Sequence, residues 1–190
     1  RGAGSGESRG QIVVFHPARR GTALLGTGGG LFLSLDGGQR WQSLGTPLTG
    51  RSILSLTIDP RDLQQLYAVT DRGVYVGSLD QHTFDQLFRV PAGEEPADTT
   101  DEASEEPAEE LAATRQLTAL AIDPQQPAHF FLATSEGLFV SEDAGTTWQR
   151  MTQLGLGTSF INRLIVHAHS PTVLYVATLN GIARYRTQTQ

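Results

Sequence analysis

The stretch LLGTGGGLFLS, residues 24–34, joins two short apolar segments through a glycine-rich turn. The same arrangement returns three more times, as LYAVTDRGVYVGS (66–78), FLATSEGLFVS (131–141) and LYVATLNGIARY (174–185). In every copy a threonine is followed three residues later by a glycine, at Thr27/Gly30, Thr70/Gly73, Thr134/Gly137 and Thr178/Gly181. Apolar, β-branched and aromatic segments on both sides of such a turn predict a β-hairpin whose glycine takes a positive φ.

A further apolar segment precedes each hairpin and ends in a turn: QIVVFHP (11–17), SILSLTIDP (52–60), QLTALAIDP (116–124) and INRLIVHAHSP (161–171). Each repeat is therefore a small antiparallel meander with apolar side chains on both faces. One such sheet cannot bury both faces alone, so the copies must stack. Units of about 41 to 45 residues with four strands have the size of propeller blades. The sequence predicts an all-β protein, a β-propeller of four blade-like repeats whose ring is incomplete or completed by a partner.

The predicted repeats span 11–51, 52–90, 116–160 and 161–190, preceded by a flexible linker at 1–10 and interrupted by an acidic insertion at 91–115. Residues 92–114 hold nine carboxylates and no basic residue, which predicts a solvated segment. The insertion is either a tolerated loop or an arm that binds a partner or gathers cations. The fourth repeat has no visible fourth strand and the Gly/Ser-rich linker is poorly suited to close the ring, so we expect a larger ring completed by further chain or by an oligomer, or else a compact four-bladed ring.

The bulk composition excludes several functions. The net charge is -6, and without residues 92–114 there are 11 acidic residues against 14 basic ones, so the basic face needed for nucleic acid is missing. The absence of cysteine excludes disulfides, thiol catalysis and cysteine-bound metals. No apolar run has the length of a transmembrane segment. We expect no cofactor and no metal.

Two repeats carry a polar signature after the third strand. The pattern Ser-x-Asp-x-Gly-x-x-Trp occurs as Ser34, Asp36, Gly38 and Trp41, and again as Ser141, Asp143, Gly145 and Trp148. It resembles the Asp-box, or BNR, repeat of sialidases, sortilin-type receptors, xyloglucan-degrading glycosidases and photosystem II assembly-factor propellers. The resemblance implies that these aspartates hold the turn between strands three and four, on the face opposite the usual ligand site, and take no part in catalysis.

The resemblance leaves several functions open. The favoured expectation is a non-enzymatic, extracytoplasmic scaffold or assembly factor that binds protein. The alternatives are a fragment of an Asp-box glycoside hydrolase, sialidase- or xyloglucanase-like, and a carbohydrate-binding propeller. Glycoside hydrolysis needs two carboxylates at a set separation, and no acid–base pair is evident on the predicted rim loops.

The opposite rim of the channel is the predicted binding surface. Candidate binding residues there are Arg51, Arg72, Arg115 and Arg163, whose guanidinium groups could hold a carboxylate or phosphate. The competing interpretation pairs these arginines with the acidic insertion or with water.

Three other motifs give less support for a functional site. Phe88-Arg-Val-Pro91 resembles a substrate-binding element of sialidases, but it follows the second repeat instead of preceding the first Asp box. The glycines at 28–30 belong to a hairpin, because no helical pattern follows them. His167 and His169 form at most half a metal site, whereas His16, Asp59, Asp123 and His167 occupy equivalent turn positions suited to capping backbone amides.

Overall fold

The computed structural model describes residues 10–89, 116–135, 137–152, 160–167 and 173–186. Within these ranges every regular element is a β-strand, and the strands form four separate antiparallel sheets. The chain is thus all-β, with its sheets arranged as a four-bladed β-propeller, which confirms the fold predicted from the repeats. We number the sheets as blades 1 to 4 in chain order.

Each blade is an antiparallel meander whose strands follow chain order. Blade 1 contains β1 to β4, at Gly10–Phe15, Ala23–Thr27, Gly30–Ser34 and Gln42–Ser43. Blade 2 contains β5 to β8, at Ile53–Ile58, Gln65–Thr70, Gly73–Ser78 and Thr83–Arg89. Blade 3 contains β9 to β12, at Leu117–Ile122, Phe130–Thr134, Gly137–Ser141 and Gln149–Arg150. Blade 4 has three described strands, β13 to β15, at Ile161–His167, Val173–Thr178 and Gly181–Arg186.

The Thr-x-x-Gly turns have a common hydrogen-bond pattern that explains their spacing. Each threonine Oγ1 donates to the carbonyl oxygen of the glycine three residues later, at 3.0 Å in blades 1 and 2, 2.9 Å in blade 3 and 3.1 Å in blade 4. In three of the turns the same hydroxyl accepts a backbone N–H from within the turn, at Gly29, Arg72 and Asn180. The four glycines have φ between +135° and +147°, a conformation that only glycine adopts without strain.

The turns after the first strands are also held by one side chain each. His16 Nδ1 accepts the backbone N–H groups of Ala18 and Arg19 at 3.2 and 2.9 Å. In blades 2 and 3 a carboxylate oxygen of Asp59 and of Asp123 accepts the equivalent pair of amides at 2.8–3.3 Å. The amide-capping role predicted for these three positions is confirmed.

Successive blades pack face to face through three buried apolar clusters. One joins blades 1 and 2, the second joins blades 2 and 3, and the third joins blades 3 and 4. The first strands β1, β5, β9 and β13 contact one another in that order, so they are the innermost strands. Burial of this apolar surface between sheets is the main stabilising contribution, because no single sheet can cover its own two faces.

Several predictions fall outside the described residues. These are the linker up to residue 9, the acidic insertion at 91–115 and His169. The repeat boundaries stay predictions. The described ranges contain no helix of the length and hydropathy needed to cross a bilayer.

Candidate functional site

The two Ser-x-Asp turns lie at the end of the sheets opposite the Thr-x-x-Gly turns, because each meander reverses direction at every strand. Ser34 Oγ donates to Asp36 at 2.9 Å and accepts the N–H of Gly38 at 2.8 Å. The same Asp36 oxygen accepts the amides of Gln39 and Arg40 at 3.0 and 2.9 Å. These bonds are all directed into the turn itself, as expected for a structural corner.

The turn in blade 3 repeats this geometry around Asp143. Ser141 Oγ donates to Asp143 at 2.8 Å and accepts the amide of Gly145 at 2.8 Å. The hydroxyl and the amide of Thr147 both donate to the carboxylate, at 2.6 and 2.8 Å. Those donors, with Ser141 and the amide of Thr146, lower the pKa of Asp143 to about 2. A general acid at neutral pH needs the opposite shift.

The pKa of Asp36 is lowered for the same reason, with the backbone N–H of Arg40 as the largest cause and Ser34 and the N–H of Gln39 adding to it. Both aspartates thus stay ionised and stabilise their own turns. Whether the turns belong to the Asp-box family stays a prediction.

The tryptophans of the two turns differ in their surroundings. Trp148 is 3% exposed, donates its indole N–H to the Gly145 carbonyl at 3.0 Å and lies 6.5 Å from the ring of Phe130. It belongs to the cluster between blades 2 and 3. Trp41 occupies the same repeat position in blade 1 and is 36% exposed. Among the described residues no blade packs on this face of blade 1.

The predicted arginine rim is only partly described. Arg51 is half-buried before β5, and its backbone N–H donates to the Leu48 carbonyl at 3.1 Å. The Nε of Arg72 lies 3.8 Å from Asp71 in the β6–β7 turn, with both side chains largely exposed. Arg163 lines the channel, and Arg115 is outside the described residues. Their role as binding residues remains a prediction.

A cavity of about 480 Å³ opens where the inner strands of blades 2, 3 and 4 begin. It lies at the end that carries the Thr-x-x-Gly turns, and we call it the channel-mouth cavity. Its apolar lining is Leu54, Leu117 and Phe160, and its polar lining is Asp71, Gln116, Thr118 and Asn162. Within the part of the chain that the structure describes, Thr118 Oγ1 is a buried hydroxyl without a hydrogen-bond partner.

A second cavity of about 230 Å³ is lined by β1, β5, β9 and β13 together, so all four blades share it. We call it the channel cavity. Leu54, Thr118 and Asn162 line both cavities, which places them at the junction of the mouth and the channel. The sequence argument missed Leu54, Phe160 and Asn162, because their shared position depends on how three blades meet.

The charges on these cavities are few. Asp71 is the single carboxylate among the described lining residues of both, and Arg163 is the single guanidinium. The described lining thus lacks the two facing carboxylates that glycoside hydrolysis requires. Within the described ranges no three His, Asp or Glu side chains are grouped as metal ligands.

No protein-family model matches the chain, and no curated protein matches it. Solved structures are similar to it in fold. The extracellular domain assigned to a hybrid two-component system of Bacteroides thetaiotaomicron aligns with a TM-score of 0.64 and 21% identity, over 96% of this chain and 21% of that one. A GH74 xyloglucanase from Xanthomonas campestris aligns with a TM-score of 0.64 and 15% identity, over 92% of this chain and 29% of that one.

A third similar structure is an auxiliary nutrient binding protein from Bacteroides thetaiotaomicron. Its TM-score is 0.64 and its identity 8%, over 94% of this chain and 38% of that chain. The chain therefore spans between a fifth and two fifths of the length of these three proteins. At such identities the likeness supports the propeller fold alone.

Proposed function

We propose that this chain is a non-catalytic binding module that holds a protein partner at the channel-mouth cavity. The observation that carries the proposal is the composition of that cavity. Leu54, Leu117 and Phe160 provide an apolar floor, and the hydrogen-bonding groups around it include one carboxylate, that of Asp71. An apolar pocket bordered by polar groups is the usual site for an anchoring side chain of a protein partner.

The size and the polar groups of the cavity support the same function. A volume of about 480 Å³ is within the range of pockets that accept a large side chain or a small ligand. The amides of Gln116 and Asn162 can each donate and accept, so they suit the backbone of a bound peptide.

The alternative of glycoside hydrolysis has less support. Asp71 is the one carboxylate that the described cavity lining contributes, and it lies in an exposed turn. The Asp36 and Asp143 carboxylates lie at the opposite end of the sheets and are engaged by their own turns. An extracytoplasmic location also remains a proposal.

Selection of peptides tests the proposal. A phage library of random peptides would be panned against the immobilised chain, and enriched peptides would be synthesised and titrated by calorimetry. We expect them to lose at least tenfold in affinity on Asn162→Ala and on Phe160→Ala. Glu142→Gln is the matched control, because Glu142 is exposed at the opposite end of blade 3. Peptides that bind both cavity variants as well as the parent chain would contradict the proposed site.

Carbohydrate binding is the second candidate. It is favoured by the aromatic ring of Phe160 beside the amides of Gln116 and Asn162, since sugars bind through stacking and planar polar groups. Xyloglucan oligosaccharides and sialyllactose would be titrated against the same variants. Saccharide binding that depends on Phe160, with no peptide binding, would replace the protein-binding proposal. Release of reducing sugar by the chain would instead establish hydrolysis.

A further inference from the structure

Six of the eight large apolar side chains that are exposed among the described residues lie on two sheet faces, and four of those six occupy repeat positions that are buried in other blades. The position directly after the repeat glycine is 1% exposed at Leu31, 0% at Val74 and 1% at Leu138, but 77% exposed at Ile182 in blade 4. The position three residues before the repeat threonine is at most 6% exposed at Leu24, Tyr67 and Phe131, but 37% exposed at Tyr175. In blades 1 to 3 these side chains pack against the following blade.

The register of blade 4 places these residues on one face. Tyr175 pairs with Ile165 and Arg184, and Ile182 pairs with Ala177, which itself pairs with Arg163. Ile165 is 57% exposed. We call Ile165, Tyr175 and Ile182 the open face of blade 4. It is the face that would meet a following blade.

Blade 1 has the complementary open face. Val13 is 50% exposed, whereas its counterparts Leu56, Leu120 and Leu164 are 4–8% exposed because each packs on the preceding blade. Trp41 is 36% exposed, whereas its counterparts Phe84 and Trp148 are 6% and 3% exposed. Phe15, two residues after Val13, is 70% exposed. We call Val13, Phe15 and Trp41 the open face of blade 1.

These two faces lie at the repeat positions that form the two sides of each interface between consecutive blades. In each blade we call the face that points to the next blade the following-side face, and the other the preceding-side face. Such a pair of faces meets between blades 1 and 2, between blades 2 and 3, and between blades 3 and 4. The open face of blade 4 therefore has the chemistry to receive the open face of blade 1. Among the described residues no buried cluster joins blades 1 and 4 of the same chain.

We propose that two copies of this chain pair head to tail, with the open face of blade 4 of each copy packed on the open face of blade 1 of the other. Two copies supply eight blades, the upper end of the usual range for propellers, and three would exceed that range. A contact between two different surfaces either closes a ring or grows without limit. Closure at two copies would bury all four open faces.

Two arginines also lie on the open face of blade 4, since Arg163 pairs with Ala177 and Arg184 pairs with Tyr175. Arg184 is the cross-strand partner of Tyr175 and lies on β15, the outermost described strand of its sheet. At that edge the aliphatic stem of the arginine can pack while its guanidinium group remains in water. The pairing uses the ends of the blade series and is independent of any ligand at the channel-mouth cavity.

Sedimentation velocity and light scattering of the full chain test the pairing. We expect a particle of two chains at micromolar concentration. Val13→Asp and Ile182→Asp each place a charge on one open face, and each should weaken pairing at least about 30-fold, as for loss of an interface hot spot. Both side chains are exposed in the single chain, so circular dichroism should remain that of the parent. Leu179→Asp is the matched control, because Leu179 is 76% exposed and lies off both faces.

Mixing the two variants identifies the head-to-tail arrangement. Val13→Asp retains an intact face on blade 4, and Ile182→Asp retains an intact face on blade 1. The mixture should form two-chain particles through one good interface, although neither variant does so alone. A monomeric parent chain, pairing that survives Ile182→Asp, or a mixture that stays monomeric would each overturn the proposal. Particles that lengthen steadily with concentration would refute closure at two copies.

Discussion

The glycines of the Thr-x-x-Gly turns allow a ranked test of how closely the strands approach. Gly181, Gly30 and Gly73 have nearly the same φ, at +142°, +140° and +147°, but different surroundings. A Cβ added at Gly181 meets no atom within 4 Å, and one at Gly30 lies 3.2 Å from the Leu48 carbonyl oxygen. A Cβ at Gly73 would collide with the carbonyl oxygen of Phe88 on β8.

The expected costs follow from these contacts. Alanine at any of the three sites incurs backbone strain of about 1–3 kcal/mol, which the reduced entropy of the unfolded chain offsets by about 0.4–1 kcal/mol. At Gly73 the added methyl group must also push strands β7 and β8 apart. Weakening one or two backbone hydrogen bonds there adds about 1–3 kcal/mol. The free energy of unfolding should therefore fall in the order Gly181→Ala, Gly30→Ala, Gly73→Ala, with the last the most damaging.

Urea unfolding followed by tryptophan fluorescence and circular dichroism measures the three costs. Parent and variants should share one m-value, so that the shift in midpoint reports stability alone. Equal losses for Gly181→Ala and Gly73→Ala would refute the steric argument, since they would leave the shared φ as the whole cause.

Three further predictions concern single side chains. Asp143→Asn should destabilise the chain at neutral pH and matter less as the pH falls from about 4 towards about 2, because a carboxylate with a lowered pKa stabilises the fold only while it is ionised; urea midpoints that run parallel across that range would contradict this. Burial, with smaller effects from nearby carboxylates, raises the pKa of Tyr67 to about 12. The contribution of the neutral phenol to the free energy of unfolding is therefore complete below pH about 10 and is lost as the pH rises to about 12. Tyr67→Phe should flatten the dependence of the free energy of unfolding on pH in that range. His16 Nε2 donates to the Leu63 carbonyl of blade 2 at 2.8 Å, so His16→Asn, which retains the cap, should cost about 0.5–1.5 kcal/mol in thermal unfolding and less than His16→Ala.

The blades themselves follow from the sequence, because their signals are local. A threonine hydroxyl can reach the carbonyl three residues away, and only glycine takes the φ that the turn needs, so the repeat spacing records the hairpin directly. The same holds for the amide caps at Asp59 and Asp123, which need no distant partner.

The sites between blades do not follow from the sequence. Trp41 and Trp148 share one motif, yet one is exposed and the other buried, and the difference depends on whether a blade precedes them. His16 has the sequence context of a cap, but its second nitrogen crosses to blade 2. The channel-mouth cavity combines strand ends that are far apart in the chain, and no local pattern encodes the angle at which sheets meet.

Because each sheet packs only on its immediate neighbours, the natural unit of change in this architecture is a whole repeat. Duplicating or deleting one blade would join a following-side face to a preceding-side face again, so every new junction would have the same chemistry as the old ones. During evolution the number of blades can thus change one repeat at a time, while the packing between neighbouring blades stays the same. Insertion of part of a repeat is not tolerated in the same way. A shift of one residue in a strand would move its apolar side chains from the buried face to the face exposed to water.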